Sequence, residues 1–159
     1  MEILVQVEIS KNSRVKYEFD KELNMLICDR VLPIPFAFPF NYGFIPNTLS
    51  GDGDPLDVII YMDEILVPNS LIKCIIIGAL ETLDEKGEDI KIICVPAKKV
   101  SYDESHIESV DDLPHHFMNK VKYFYKHYKD AEEGKYVNLG NILNKNDAID
   151  IYNKSLINK

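Results

Sequence analysis

Residues 50 to 58 read SGDGDPLDV and set three aspartates, Asp52, Asp54 and Asp57, among two glycines and a proline. Turns select Asp, Gly and Pro for backbone reasons, so a solvated turn accounts for the glycines and the proline. The spacing of the acids asks for more. In an extended segment residues two apart point the same way, so Asp52 and Asp54 share a face, and the kink at Pro55 lets Asp57 swing towards them. Converging carboxylates repel one another unless a cation sits between them, and oxygen-only ligands favour a hard ion, magnesium before manganese or calcium. A calcium-binding EF-hand loop does not fit: counted from Asp52, position 5 is Leu56, position 6 is Asp57 and position 12 is Asp63.

A second acidic run, LDEKGEDIK (83 to 91), supplies Asp84, Glu85, Glu88, Asp89 and Lys91, and taken alone it reads as a hairpin loop. In VEISKNSRVKYEFD, Lys16 and Glu18 share one strand face and Glu8 lies on the preceding strand, a pattern that an ordinary polar sheet face also produces. Singly, Arg30, Tyr42 and the pair Tyr128 and Lys129 read as a surface cation, a core aromatic and a helix C-terminal charge. Phosphate-cradling glycine loops and a serine hydrolase elbow are absent from the sequence, so any phosphate must be held by side chains and metal. The four histidines make no ligand pattern and no Cys-x-x-Cys occurs, which leaves zinc without support.

The elements that must position these residues fall into two regions. From residue 3 to about 100, the runs ILVQVEI, VKYEF, MLICDRV, DVIIYM, SLIKCIIIGALETL and IKIICVP predict six strands and a barrel or strongly curled sheet. Between the third and fourth, LPIPFAFPFNYGFIPNTLSGDGDP reads as a long functional loop without regular structure. After residue 110 the period changes: Leu113, Phe117, Val121, Phe124 and Tyr128 line one face of a helix, with Pro114 in its first turn and Gly134 beyond its end. A shorter helix is expected at NDAIDIYNKSLI, with Ala148, Ile151, Tyr152 and Ser155 or Leu156 facing inward.

The 159 residues, 46% hydrophobic, suggest a single domain over 1–159 with a full core. A formal charge of -8 and no basic block argue against nucleic acid or an anionic membrane as partner. The most apolar run, LIKCIIIGAL, carries Lys73 and is about half the length of a membrane span. The N-terminus lacks the marks of a targeting peptide. Cys28, Cys74 and Cys94 each lie in a strand-like run and read as buried reduced thiols with a cytoplasmic address.

DGDPLDV resembles the signature of the soluble family I inorganic pyrophosphatases, Asp-x-Asp-Pro-aliphatic-Asp-aliphatic. The similarity continues in family order through Glu8 to Asp20, Asp29-Arg30, NYGFIPNTL, Asp84 to Lys91, Val95 to Lys99, Asp112 to Pro114 and His127 to Lys135. It implies an α+β, mainly β fold: a small closed OB-like five-stranded β-barrel with flanking C-terminal helices, assembled as a hexamer. It also implies hydrolysis of pyrophosphate to two phosphates by metal-activated water, with several magnesium ions per site and no covalent intermediate. By resemblance, Asp52, Asp57 and Asp89 hold a tight metal ion, Asp57 is shared with a second, and Asp84 with Asp89 anchors a further one. Asp54 resembles the residue that helps deprotonate the attacking water. Lys16, Arg30, Lys91, Tyr128 and Lys129 look like the phosphate-holding groups, Tyr42 a catalytic and substrate-binding hydroxyl, and Glu8 and Glu18 supporting carboxylates.

The residue types suit that chemistry. Seven carboxylates less four cations leave a metal-free site of charge -3, which repels pyrophosphate until divalent ions reverse its sign. A non-catalytic acidic barrel that binds only divalent ions would gain nothing from the cations, and an OB-type oligonucleotide binder conflicts with the acidic balance. Two positions depart from the family pattern. Phe38 stands in FAFPFNYG where a tyrosine is usual, a loss of one hydrogen bond worth about 0.5 to 1.5 kcal/mol, and Ser10 replaces a common proline.

Overall fold

The computed structural model describes residues 1–157. Eight strands and two helices follow in chain order: β1 (Glu2–Ile9), β2 (Val15–Asp20), β3 (Met25–Val31), β4 (Asn41–Phe44), β5 (Asp57–Ile60), β6 (Leu71–Asp84), β7 (Gly87–Pro96), α1 (His115–His127), β8 (Val137–Leu143) and α2 (Lys145–Ser155). Five of the strands close a ring by pairing in the order β1-β4-β5-β7-β6 and back to β1, with β8 added on β6. Only β5 and β7 run parallel. This is the closed five-stranded arrangement expected from the resemblance.

Alternation along the strands decides which side chain goes where. Val5, Val7, Val58, Ile60, Ile92 and Cys94 pack into one cluster that takes in Ala148 of α2. Ile59, Ile93 and Val95 point the other way, into a cluster with Val121, Phe124 and Tyr125 of α1, and Ile9 joins them because the β1 register shifts between Val7 and Ile9. Of the face predicted from periodicity, Val121 and Phe124 are buried in α1 and Phe117 is half-buried; Met118 and Tyr125 complete that face, Leu113 and Pro114 precede the helix and Tyr128 follows it. In α2 Ala148 and Ser155 are the buried residues, and Leu156 lies just beyond the helix, where it bridges Thr48.

Three expectations change. The run after β3 is not wholly irregular: Asn41–Phe44 forms β4, a member of the ring. Gly43 makes this possible, because a Cβ there would lie 2.0 Å from the Gln6 carbonyl oxygen across the β1–β4 pair. Conversely, β2 and β3 are not ring strands and form a separate two-stranded sheet. Cys28 on β3 is therefore exposed rather than buried, while Cys74 and Cys94 are buried as expected.

Candidate active site

The β2–β3 hairpin, the loop before β5, the β6–β7 turn and the C-terminal end of α1 enclose a cleft of about 780 Å³. All thirteen residues singled out from the sequence line it: Glu8, Lys16, Glu18, Arg30, Tyr42, Asp52, Asp54, Asp57, Asp84, Asp89, Lys91, Tyr128 and Lys129.

The aspartate loop is a turn and not the extended segment expected. Gly53 adopts φ +88, and the Asp52 carboxylate accepts from the Asp54 N–H at 3.0 Å and from the Ser50 hydroxyl. Asp52 is thereby fixed by its own loop, and Asp54 is left exposed with both carboxylate oxygens uncommitted to protein donors among the described residues. Burial, then the Asp52 and Glu18 charges, raise the Asp54 pKa above the ordinary carboxylate value. Asp57 opens β5, opposite Lys91 of β7 in the parallel register.

That register produces the centre of the site. Lys91 Nζ lies 2.9 Å from Asp57 Oδ2 and 2.7 Å from Asp89 Oδ2, and it donates to the Tyr42 hydroxyl at 2.8 Å. Burial opposes the ammonium, but the Asp57 charge, with Asp89 and two tyrosines, outweighs it and raises the Lys91 pKa well above the usual lysine value. Burial likewise raises the Tyr42 phenol, with Asp57 adding to it, so Tyr42 stays protonated and, while accepting from Lys91, keeps its own proton to donate. Burial raises the Asp89 pKa too, against the pull of Lys91.

Across the cleft Lys129, just beyond α1, lies 3.2 Å from Asp84 Oδ2 and 3.2 Å from Glu85 Oε2. Burial would raise Asp84, yet the Lys86 N–H and the Lys129 ammonium hold it below its ordinary value. Lys16 pairs with Glu18 at 2.6 Å and with Asp29 at 3.4 Å.

Glu8 has a different cause. The β1–β4 register slips between Val7 and Ile9, and the bulge turns Glu8 out of the ladder towards the hairpin. Its carboxylate accepts the Phe19 N–H at 2.9 Å. Burial raises its pKa from 4.5 to about 7, a shift the Phe19 hydrogen bond only partly offsets.

Sequence reasoning assigned no role to Glu132, which pairs with Arg30 from 102 positions away and with Lys135 at 3.2 Å. Glu132 and Lys135 both lie within the stretch from His127 to Lys135, so what the sequence leaves out is the pairing of Glu132 with the distant Arg30. Phe38 is buried against Phe40, Tyr42 and Phe124 and forms an apolar wall behind the site. Ser10, the other departure, donates to the Leu66 carbonyl. A further acidic group, Asp63, Asp103 and Glu104, lies outside the cleft. There Glu104 is already bonded by the Ser101 hydroxyl at 2.7 Å.

The lining carries eleven carboxylates and seven lysines or arginines, eleven negative less seven positive, or -4. Its donors suit hard divalent ions, since neither histidine nor cysteine is among the lining residues. Few chemistries need hard-ion ligands and phosphate-binding cations in one small cleft. Hydrolysis of a phosphoanhydride does, and that is the class of enzyme the fold and site define.

A family model described as inorganic pyrophosphatase matches residues 5–158. The inorganic pyrophosphatase of Xanthomonas campestris pv. campestris is 46% identical over 139 residues, 87% of this chain and 78% of the relative. That of Aquifex pyrophilus is 43% identical over 157 residues, 99% of this chain and 89% of the relative. The solved inorganic pyrophosphatase of Helicobacter pylori superposes with a TM-score of 0.96 at 41% identity, covering 98% of this chain and 91% of that one. The chain belongs to the inorganic pyrophosphatase family and is an enzyme.

Proposed function

We propose that the chain hydrolyses inorganic pyrophosphate to two orthophosphates in a magnesium-dependent reaction, with water as the attacking group and no covalent intermediate. The observation that carries this reading is the placement of the carboxylate clusters and the four cations Lys16, Arg30, Lys91 and Lys129 around one cleft of charge -4. Each divalent ion bound there adds two positive charges, so a polyanion is attracted only after metal has entered.

Asp52, Asp57 and Asp89 would hold the tight ion, with Asp57 shared to a second, and Asp84 with Asp89 a further one. Bound there, the ions supply Lewis acidity to the phosphoryl oxygens and acidify the attacking water. Asp54 would receive that water's proton; its exposure and its freedom from protein donors suit a general base. Lys16, Arg30, Lys91, Lys129 and the Tyr128 hydroxyl hold the phosphate oxygens and meet the charge that develops on the leaving phosphate. Tyr42 donates its remaining proton to a substrate oxygen. Glu8 and Glu18 keep the hairpin and Lys16 in place.

A homo-oligomer, a hexamer, is part of this reading. Exposed apolar side chains such as Tyr123, Met25 and Val67, at 60%, 65% and 72%, support burial against further copies. A cytoplasmic location fits the free cysteines. Among the described residues no helix is long and apolar enough to cross a membrane. The test is phosphate release from pyrophosphate by the pure protein. Two phosphates per pyrophosphate with magnesium is the expected result, and no release would overturn the reading.

A further inference from the structure

We infer that Lys91 and Lys129 are exchangeable counter-ions: Lys91 occupies two carboxylates assigned above to metal and Lys129 one, and metal loading hands both lysines to the substrate. The inference rests on that metal-ligand assignment and goes beyond it. Three of the four assigned ligands, Asp57, Asp84 and Asp89, are lysine-paired in the ligand-free protein. Asp52 alone is not, being held by the Asp54 N–H and the Ser50 hydroxyl.

Donor arithmetic makes the pairing consequential. An ammonium has three N–H donors and no more. Lys91 hydrogen-bonds Asp57 and the Tyr42 hydroxyl at 2.9 and 2.8 Å, and Asp89 Oδ2 lies 2.7 Å from the same ammonium as an ion pair. A phosphate oxygen must therefore compete with three oxygens already crowding that ammonium. The side chain cannot swing aside, since it is 5% exposed and its Nζ lies 5.3 and 5.4 Å from the ring centres of Tyr42 and Tyr125. Lys129 is committed in the same way to Asp84 and Glu85.

A divalent ion held by Asp57 and Asp89 would compete with Lys91 for the charge of those two carboxylates. The ammonium stays in place, pinned between the two rings, while its donors come free beside the new positive charge. Metal affinity is therefore weakened by the lysines and anion affinity is created by their release, so the two binding events are coupled through the same side chains. Without metal Lys91 also keeps Asp57 and Asp89 from repelling each other in the half-buried cleft.

The coupling has a signature of opposite signs. Calorimetry with Mg2+ alone on the full chain compares wild type with Lys91→Met and Lys129→Gln, followed by inorganic phosphate at saturating Mg2+. Each variant is expected to bind Mg2+ about three- to tenfold tighter, since a competing unit charge is removed, and to bind phosphate more weakly. Weaker or unchanged Mg2+ binding in the variants would overturn the inference, because lysines that only prop the fold would lower both affinities together. Lys129→Gln, at the less enclosed pair, carries the comparison if Lys91→Met does not fold. Asp57→Asn separates the two layers of the argument. If it leaves Mg2+ binding intact, the ligand assignment itself falls.

Discussion

Asp54 is the one carboxylate of its loop with no structural duty, and that freedom makes the general-base assignment testable. Replacing it with Asn removes the proton acceptor but leaves Asp52, Asp57 and Asp89 in place. Asp54→Asn should keep Mg2+ binding and lower turnover by roughly 10² to 10⁴; steady-state phosphate release beside calorimetry reads both. Glu8 makes a second claim at the same scale. Its pKa in the fold, about 7, lies above the ordinary 4.5, so the folded protein binds the extra proton and ionisation costs stability. For metal-free protein the stability contributed by protonated Glu8 is full below pH 4.5 and falls as pH rises towards 7, by on the order of 3 kcal/mol. Thermal melts in chelator across that range should show the decline in wild type, and Glu8→Gln should flatten it.

At the scale of elements, the parallel pairing of β5 with β7 sets Asp57 opposite Lys91, and the β1 bulge aims Glu8 at the hairpin. The pairing of β4 with β1 is the step most exposed to a single atom. Gly43→Ala places a methyl 2.0 Å from the Gln6 carbonyl oxygen, a backbone atom that cannot move aside cheaply. It should destabilise the protein by at least about 3 kcal/mol, measured by denaturant unfolding, and lower Tyr42-dependent substrate affinity in whatever folds. This strand is illegible in the sequence because NYGF is only four residues long, carries no β-branched residue and lies in a run rich in Pro and aromatics; its pairing depends on a missing Cβ. The strand β8 was missed because its pattern is half exposed. Cys28 misled in the opposite way, since MLICDRV reads like a core strand but its hairpin packs only one face. The convergence of the candidate site residues is easier to read from the sequence than the elements are. Short motifs fix their spacing and the fold brought all of them to one cleft, whereas Glu132 acts through an arginine 102 positions distant and leaves no local trace.

For the molecule as a whole, charge organises the account. The chain carries a formal -8 and its cleft -4, so half of the excess negative charge is gathered where a polyanion is to bind. That arrangement is costly without cations and gives metal a stabilising role beyond catalysis. Saturating Mg2+ should therefore raise Tm by several degrees over chelator-treated protein, and Asp57→Asn together with Asp89→Asn should abolish most of the rise. Sedimentation at micromolar concentration should give the mass of a hexamer if the exposed apolar side chains are covered by further copies. The central claim, that this cleft hydrolyses pyrophosphate only when metal has reversed its charge, is tested most directly by one titration. Phosphate release from pyrophosphate is followed as Mg2+ is added to chelator-treated wild type and to Asp57→Asn. Release should be absent at the start and rise to saturation in wild type, with the variant needing far more metal for far less product. Release without metal, or identical curves for the two proteins, would contradict the account.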